Sequence, residues 1–352
     1  MMAKRPVSIK QVADAAGVST ATVSNVFSGK KPVNGDLAAR VRNVAERLGY
    51  RVNRAASNLR SGQSRVVTVL VPDLSDPYFT SLVTEIEEQA QRDGYQIIVA
   101  NTKDDVETER GRVSALLSWQ PDGMIVVPTS DRIPEQLVQV KDEVPIVVTD
   151  RGIETKEFDV VRVDNAAAGR MVASHLLEFG HRRILVVASD MQISGVHDRC
   201  NGAIERIKAA GAESELVEVG PVPDRAAAHL ARWLVKNPMP TAIFAVTDMT
   251  TLATLTCLAE LKAEVGRDVS VVGYDDYPWM VARRTPITAV RQPVEQIAEA
   301  VWALLVRRMN GDMARAEVAP LACALRVRAS SRPIETTTEA RDRQGRAASE
   351  VK

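Results

Sequence analysis

The sequence predicts two unlike modules: a small all-α head with a helix-turn-helix, and behind it an α/β core of parallel sheets split into two subdomains. Three observations carry this. Two short amphipathic segments meet at Gly17, and after residue 62 apolar runs of strand length recur between stretches of helix length. The third is charge. The chain balances 45 Lys/Arg against 45 Asp/Glu, but residues 1–62 hold 11 basic and 3 acidic residues, leaving 34 against 42 for the rest. A basic head on an acidic body is expected when one module faces phosphate and the other does not.

In the head, Ser8 followed by Gln11 has the form of a capping box, which starts a helix by pairing backbone N–H groups that its first turn leaves open. Val12, Ala15 and Ala16 are expected on the face toward the next helix. Gly17 provides the turn, because it reaches positive φ without steric cost. Ser19 is the expected N-cap of the second helix; Thr20, Ala21 and Thr22 form its first turn, and Val23 and Val26 look inward. In a helix-turn-helix the N-terminal residues of this second helix meet base edges in the major groove of DNA. Asn34 caps a third helix reaching Leu48, with Leu37, Val41, Val44, Ala45 and Leu48 on its inner face, and Gly49 ends it.

The core begins with Val66–Val71, continues through the helical pattern Leu82, Val83, Ile86, Ala90, and returns to a strand at Tyr95–Ala100. Gly123–Val127, Val144–Val148, Ile184–Ala188, Ala242–Val246 and Val269–Val272 repeat the theme. Continuous apolar strands alternating with helices imply parallel sheets covered on both faces. Roughly 270 such residues exceed one typical core, so two subdomains are expected.

Val18 through Ser24, Leu48-Gly49-Tyr50, Asn53 through Leu59, Ser61-Gly62, Asp164-Asn165, Gly180-His181 and Val271 through Asp276 occur in this order. On these residues the chain resembles the LacI/GalR repressors along nearly its whole length. The resemblance implies a helix-turn-helix domain over 1–50, a hinge helix over 51–62, and a two-lobed, periplasmic-binding-protein-like core over 63–334. Its first lobe would take about 63–162 plus 292–322 and its second about 163–291 plus 323–334. It also implies double-stranded operator DNA as partner, through Ser19, Thr20, Ala21, Thr22, Ser24 and Asn25 of the reading helix and Asn53, Ala56 and Leu59 of the hinge. Leu59 would wedge into the minor groove, where an apolar side chain kinks DNA by unstacking a base step. Asn25 suits a bidentate contact to adenine.

Ligands of open α/β sheets bind just past the carboxyl ends of strands. Strand ends alone therefore select Asp73–Phe79, Pro128–Ser130, Asp150-Arg151, Ser189–Arg199, Thr247-Asp248 and Tyr274–Asp276. The resemblance implies that Tyr78, Phe79, Arg151, Arg199, Thr247 and Asp275 face an effector; Trp279 would stack on a sugar face or pack beneath a loop. Asp150 and Asp248 read equally as ligand contacts or as caps. Arg, Asp, Thr and aromatic groups together suit a polyhydroxylated molecule, a sugar or sugar acid. A purine corepressor is the alternative, since the family uses the same positions for both.

Other classes find little support. The four histidines lack metal-ligand spacing, and the three cysteines stand singly. No Gly-rich phosphate loop or G-x-S-x-G occurs, so no cofactor, metal or catalytic residue is expected. A secreted sugar-binding protein without a regulatory role would share the core, but Met1–Val7 has no apolar signal region and no stretch approaches a membrane span. A cytoplasmic location without membrane contact is expected. Glu335–Lys352 is polar and contains no leucine, unlike the heptads that join some family members into tetramers; a disordered tail and a homodimer are the expectation.

Overall fold

The computed structural model describes residues 7–28, 31–50, 64–151, 157–312, 314 and 318–334. The expected hinge (51–62) with Asn53, Ala56 and Leu59, and the expected tail (335–352), lie outside them. The chain divides into two compact units, Met1–Arg65 and Val66–Lys352.

In the first unit, α1 (Ile9–Ala16) opens with the Ser8/Gln11 capping box and closes at Gly17, whose φ is 65°. The sequence placed Ala15 on its inner face; the buried residues are Val12, Ala13 and Ala16, and Ala15 is exposed. The stripe that packs inward is Ile9, Val12, Ala13, Ala16, a 3-1-3 spacing that fits 3.6 residues per turn as well as the expected one did. Ser19 caps α2 (Thr20–Ser28), its hydroxyl accepting from the Thr22 N–H at 3.1 Å. In α3 (Gly35–Leu48), Asn34 accepts from the N–H groups of Asp36 and Leu37. Val41, Val44 and Ala45 are buried there, Leu37 is half-buried, and Leu48 is exposed rather than internal. Gly49 turns the chain left-handed, the Tyr50 N–H bonds back to the Ala45 carbonyl, and Tyr50 covers the end of the core in place of Leu48.

The second unit holds two six-stranded sheets. The first runs β11-β5-β4-β3-β1-β2, parallel throughout, built from β1 (Val66–Val71), β2 (Gln96–Asn101), β3 (Gly123–Val126), β4 (Ile146–Thr149), β5 (Asp159–Val163) and β11 (Val318–Leu321). The second runs β12-β10-β9-β8-β6-β7, from β6 (Arg183–Ala188), β7 (Glu213–Glu218), β8 (Ala242–Ala245), β9 (Ser270–Tyr274), β10 (Thr288–Arg291) and β12 (Ala324–Arg326); β10 and β12 alone pair antiparallel. The order 2-1-3-4-5 thus occurs twice, once per lobe, with the switch of direction between β1 and β3 and between β6 and β8. The chain passes between lobes after β5, after β10 and between β11 and β12.

Helices cover both faces of each sheet. In the first lobe α4 (Pro77–Arg92) and α12 (Val294–Met309) bury Leu82, Ile86, Val301 and Leu305 against Val67, Val69 and Ile125. On the opposite face α5 (Val106–Leu117) and α6 (Glu135–Val140) supply Val113, Leu116 and Leu137. In the second lobe α7 (Asn165–Glu178) and α8 (Ser194–Ala209) form one layer, and α9 (Pro223–Lys236) with α10 (Asp248–Glu260) the other; α11 (Pro278–Val281) is a single turn. Five strands lack a clear sequence signature. β7 reads Glu-Ser-Glu-Leu-Val-Glu because it is an edge strand, with only Val217 of its six residues buried. β5, β10, β11 and β12 are 5, 4, 4 and 3 residues long, too short to show a period.

Candidate reading helix and interlobe cleft

On the head, Ser19, Thr20 and Ala21 are exposed at the N-terminal end of α2, and Thr22, Ser24 and Asn25 are half-buried beside them. Thr22 is partly engaged in the cap, its hydroxyl 2.9 Å from that of Ser19. Val23 and Val26 anchor the opposite side of the helix in the head core, which leaves the polar side outward.

In the second unit, a cavity of about 400 Å³ lies between the lobes at the carboxyl ends of the central strands. The first lobe contributes Asp73, Asp76, Tyr78, Phe79, Asp104, Asp150 and Arg151; the second contributes Ser189, Arg199, Thr247, Asp248 and Asp275; Gln292, on the crossover after β10, joins them. Six of the seven expected effector residues therefore meet at one cavity. Trp279 does not line it. Pro278 starts α11 and carries the indole away, to pack against Leu255, Met280, Ile287 and Ala289, which is the loop-packing reading of this residue. Tyr277, two residues earlier, does not line the cavity either, but donates its hydroxyl to the lining residue Asp76 at 3.3 Å, bridging the lobes. A second bridge runs from the Ser194 hydroxyl to Asp131 at 2.6 Å.

Arg199 is only 7% exposed. Its Nε donates to the Asn165 side chain at 2.7 Å, one terminal nitrogen donates to the Val246 carbonyl at 2.9 Å, and its guanidinium lies 3.8 Å from the Tyr274 ring centre. Burial works against this charge, but Tyr274, Asp275 and Asp150 more than offset it and hold the group protonated. The placement depends on two glycines. A Cβ at Gly169 of α7 would stand 2.0 Å from the Arg199 carbonyl oxygen, and one at Gly202 of α8 would stand 2.2 Å from the Ala166 carbonyl oxygen. Only glycines let these helices approach so closely.

Arg151 donates to Asp104 and to the Thr129 carbonyl, and sits 5.8 Å from the Phe79 ring centre. Thr247 is the N-cap of α10, in a reciprocal capping box with Thr250, so its hydroxyl is already engaged. Asp275, at φ 78°, accepts from the Gln292 amide at 2.6 Å. Burial, with Asp248 and Asp76 nearby and only partly countered by Arg199 and Gln292, lifts its carboxyl to about 7. Asp76 caps α4 and is lifted to about 6, chiefly by burial and then by Asp248. Burial likewise raises Asp248.

Two polar lining residues, Asp104 and Gln292, fall outside the strand-end selection, as do the apolar Pro221, Pro223, Met249 and Leu252. Asp104 follows β2, and the same rule applied to that strand would have reached it. Gln292 follows β10, whose four residues offered no signal. Among the described residues no group of His, Cys, Asp and Glu has a metal-holding arrangement, and no helix is long and apolar enough to cross a membrane.

Sequence comparison agrees with this architecture. Residues 8–53 match the bacterial regulatory proteins of the lacI family, and residues 173–331 match the periplasmic binding protein-like domain. The transcriptional regulator PtxS of Pseudomonas putida is 33% identical over 337 residues, covering 93% of this chain and 96% of that protein. The transcriptional repressor CytR of Escherichia coli is 26% identical over 93% of this chain and 96% of its own. Among solved structures, the lac repressor dimer bound to operator and an anti-inducer superposes with a TM-score of 0.82 at 24% identity, over 93% of this chain and all of that one. The CelR–cellobiose complex superposes at 0.69 with 28% identity, over 92% and 100%. Its relatives are transcriptional regulators, and a basic helix-turn-helix head precedes a two-lobed core with a ligand-sized cleft: this chain belongs to the LacI family of bacterial transcriptional regulators.

Proposed function

We propose that the protein is an effector-responsive repressor that binds a palindromic operator as a homodimer and changes its DNA affinity when a sugar-like molecule enters the interlobe cleft. The carrying observation is that one cavity takes its walls from both lobes, so an occupant touches both and favours one lobe arrangement over another. Such coupling requires different ligand affinities in the two arrangements, and typically amounts to about 1–3 kcal/mol. Ser19, Thr20, Ala21, Thr22, Ser24 and Asn25 would read the operator, and Asn53, Ala56 and Leu59 would form the hinge contact. The proposed division is 1–50 for the head, 51–62 for the hinge, 63–334 for the core and 335–352 for the tail. Tyr78, Phe79, Arg151, Arg199, Thr247 and Asp275 are the proposed effector contacts. Tyr78 and Phe79 are 5% and 4% exposed, which leaves little ring face for stacking a purine and favours a polyol. No catalytic step, cofactor or metal enters this reading, and the protein would act in the cytoplasm, on chromosomal DNA.

Selection of bound sequences from a random duplex pool tests the DNA side. An inverted repeat with half-sites about one helical turn apart is expected, because dimer symmetry imposes it. Enrichment of a single unpaired half-site, or of nothing, refutes the dimeric repressor. Titrating sugars into the selected complex and reading DNA release or retention tests the effector side.

A further inference from the structure

The lining of the cleft is unbalanced. Among the described residues it carries six aspartates, Asp73, Asp76, Asp104, Asp150, Asp248 and Asp275, against Arg151 and Arg199. Arg151 is paired with Asp104, and Arg199 is held by Asn165 and the Val246 carbonyl while facing Asp150 and Asp275. Asp76 and Asp248, one from each lobe, have no such cation.

Hydrogen-bond capacity is skewed the same way. The Tyr277 hydroxyl already donates to Asp76, Tyr78 faces Asp150, and the Gln292 amide donates to Asp275. Gln292 is 5% exposed, and its Oε1 accepts from none of the described residues. An ionised carboxylate offers about four acceptor sites and no donor. Acceptors therefore predominate on the wall, and an occupant rich in donors suits it.

We propose that the cleft discriminates by charge, with Asp76 and Asp248 as specificity-determining residues, so that the effector is an uncharged polyhydroxylated molecule and not a sugar acid or sugar phosphate. The inference rests on the sugar-type reading above and narrows it. Hydroxyls satisfy unpaired acceptors without adding charge. A carboxylate or phosphate adds a third negative group between two that already repel, and like-charge juxtaposition of this kind is strongly unfavourable.

The test uses the whole protein at pH 8 and calorimetric titration of glucose, galactose and ribose, each beside its aldonate and its terminal phosphate. At least one aldose should bind tenfold or more tighter than its two anionic partners, and Asp76→Asn/Asp248→Asn should shrink that ratio at least threefold. Asn also caps helices well, so α4 keeps its start. An anion binding as tightly as its parent, or a ratio unmoved by the double substitution, overturns the proposal.

If none of the nine compounds binds, the sugar reading falls, and the charge reading is decided without ligand. Asp76 faces Asp248, Asp150, Asp275, Tyr277 and the Tyr78 N–H; Asp248 faces Asp76, Asp275 and the Met249 N–H. A carboxyl raised by folding costs stability above its folded pKa and nothing below its unfolded one. The double variant should therefore melt higher than wild type at pH 8, with the gap closing toward pH 5. Parallel curves overturn the proposal.

Discussion

Gly169→Ala isolates the helix contact that places Arg199. The added Cβ would stand 2.0 Å from the Arg199 carbonyl oxygen and 2.9 Å from the Ala203 nitrogen, where Cβ atoms essentially never come under 3.0 Å. Both obstacles are backbone, so no side chain can swing aside, and α7 and α8 have to part by about 1 Å. Overpacking of this sort costs ~1–3 kcal/mol. Backbone obstruction puts this site at the upper end, and the helix preference of Ala over Gly returns about 1 kcal/mol. The expected net loss is ~2 kcal/mol, a fall in Tm of about 4–8 °C for a domain of this size. Gly111 is the matched control: it too is mid-helix, in α5, but nothing lies within 4 Å of its would-be Cβ, so Gly111→Ala should stabilise by ~0.5–1 kcal/mol. Urea unfolding followed by tryptophan fluorescence reads both. If the two variants shift the midpoint the same way, close helix approach does not govern this layer and the account of how Arg199 is placed fails.

Asn34→Ala removes a cap that accepts two backbone N–H groups, and should lower the stability of the head by about 1 kcal/mol; an unchanged head transition in circular dichroism refutes that. Burial pulls His175 and His181 below the ordinary histidine range, so the folded protein holds both neutral against Ser331, Ser270 and the Arg332 carbonyl. Their contribution is full above the unfolded pKa of about 6.5 and is lost as pH falls through the lower folded values. Compared with wild type, His175→Gln should lose less Tm between pH 7.5 and 5, and equal slopes argue against the role. Asp275→Ala removes the partner of the Gln292 amide, and should abolish the response to whichever sugar stabilises the wild-type protein; a normal response removes Asp275 from the site.

What was legible in the sequence was local. Ser8, Ser19 and Asn34 cap helices through atoms two or three residues away, and these starts fell where the letters put them. The strand-end rule reached most of the cleft because parallel topology, which apolar runs reveal, forces loops from many strands to one end of a sheet. Where expectations missed in the head, packing or turn geometry decided. Ala13, not Ala15, is buried because both faces of α1 suit a helix and the third helix selects one; Tyr50 displaces Leu48 because a Schellman turn folds the chain back.

The sequence by itself therefore determined the two modules, the sorting of charge between them, the helix caps and the loops that could line a cleft, all properties of neighbouring residues. Tertiary structure alone decided the rest. It turned Trp279 away, brought Tyr277 to Asp76 across the lobes and Gln292 to Asp275 across 17 residues, and set Asp76 against Asp248 from opposite lobes. Electrostatics and packing act through space, and the carboxyl of Asp275 rises to about 7 because of burial and of groups that chain order keeps far apart.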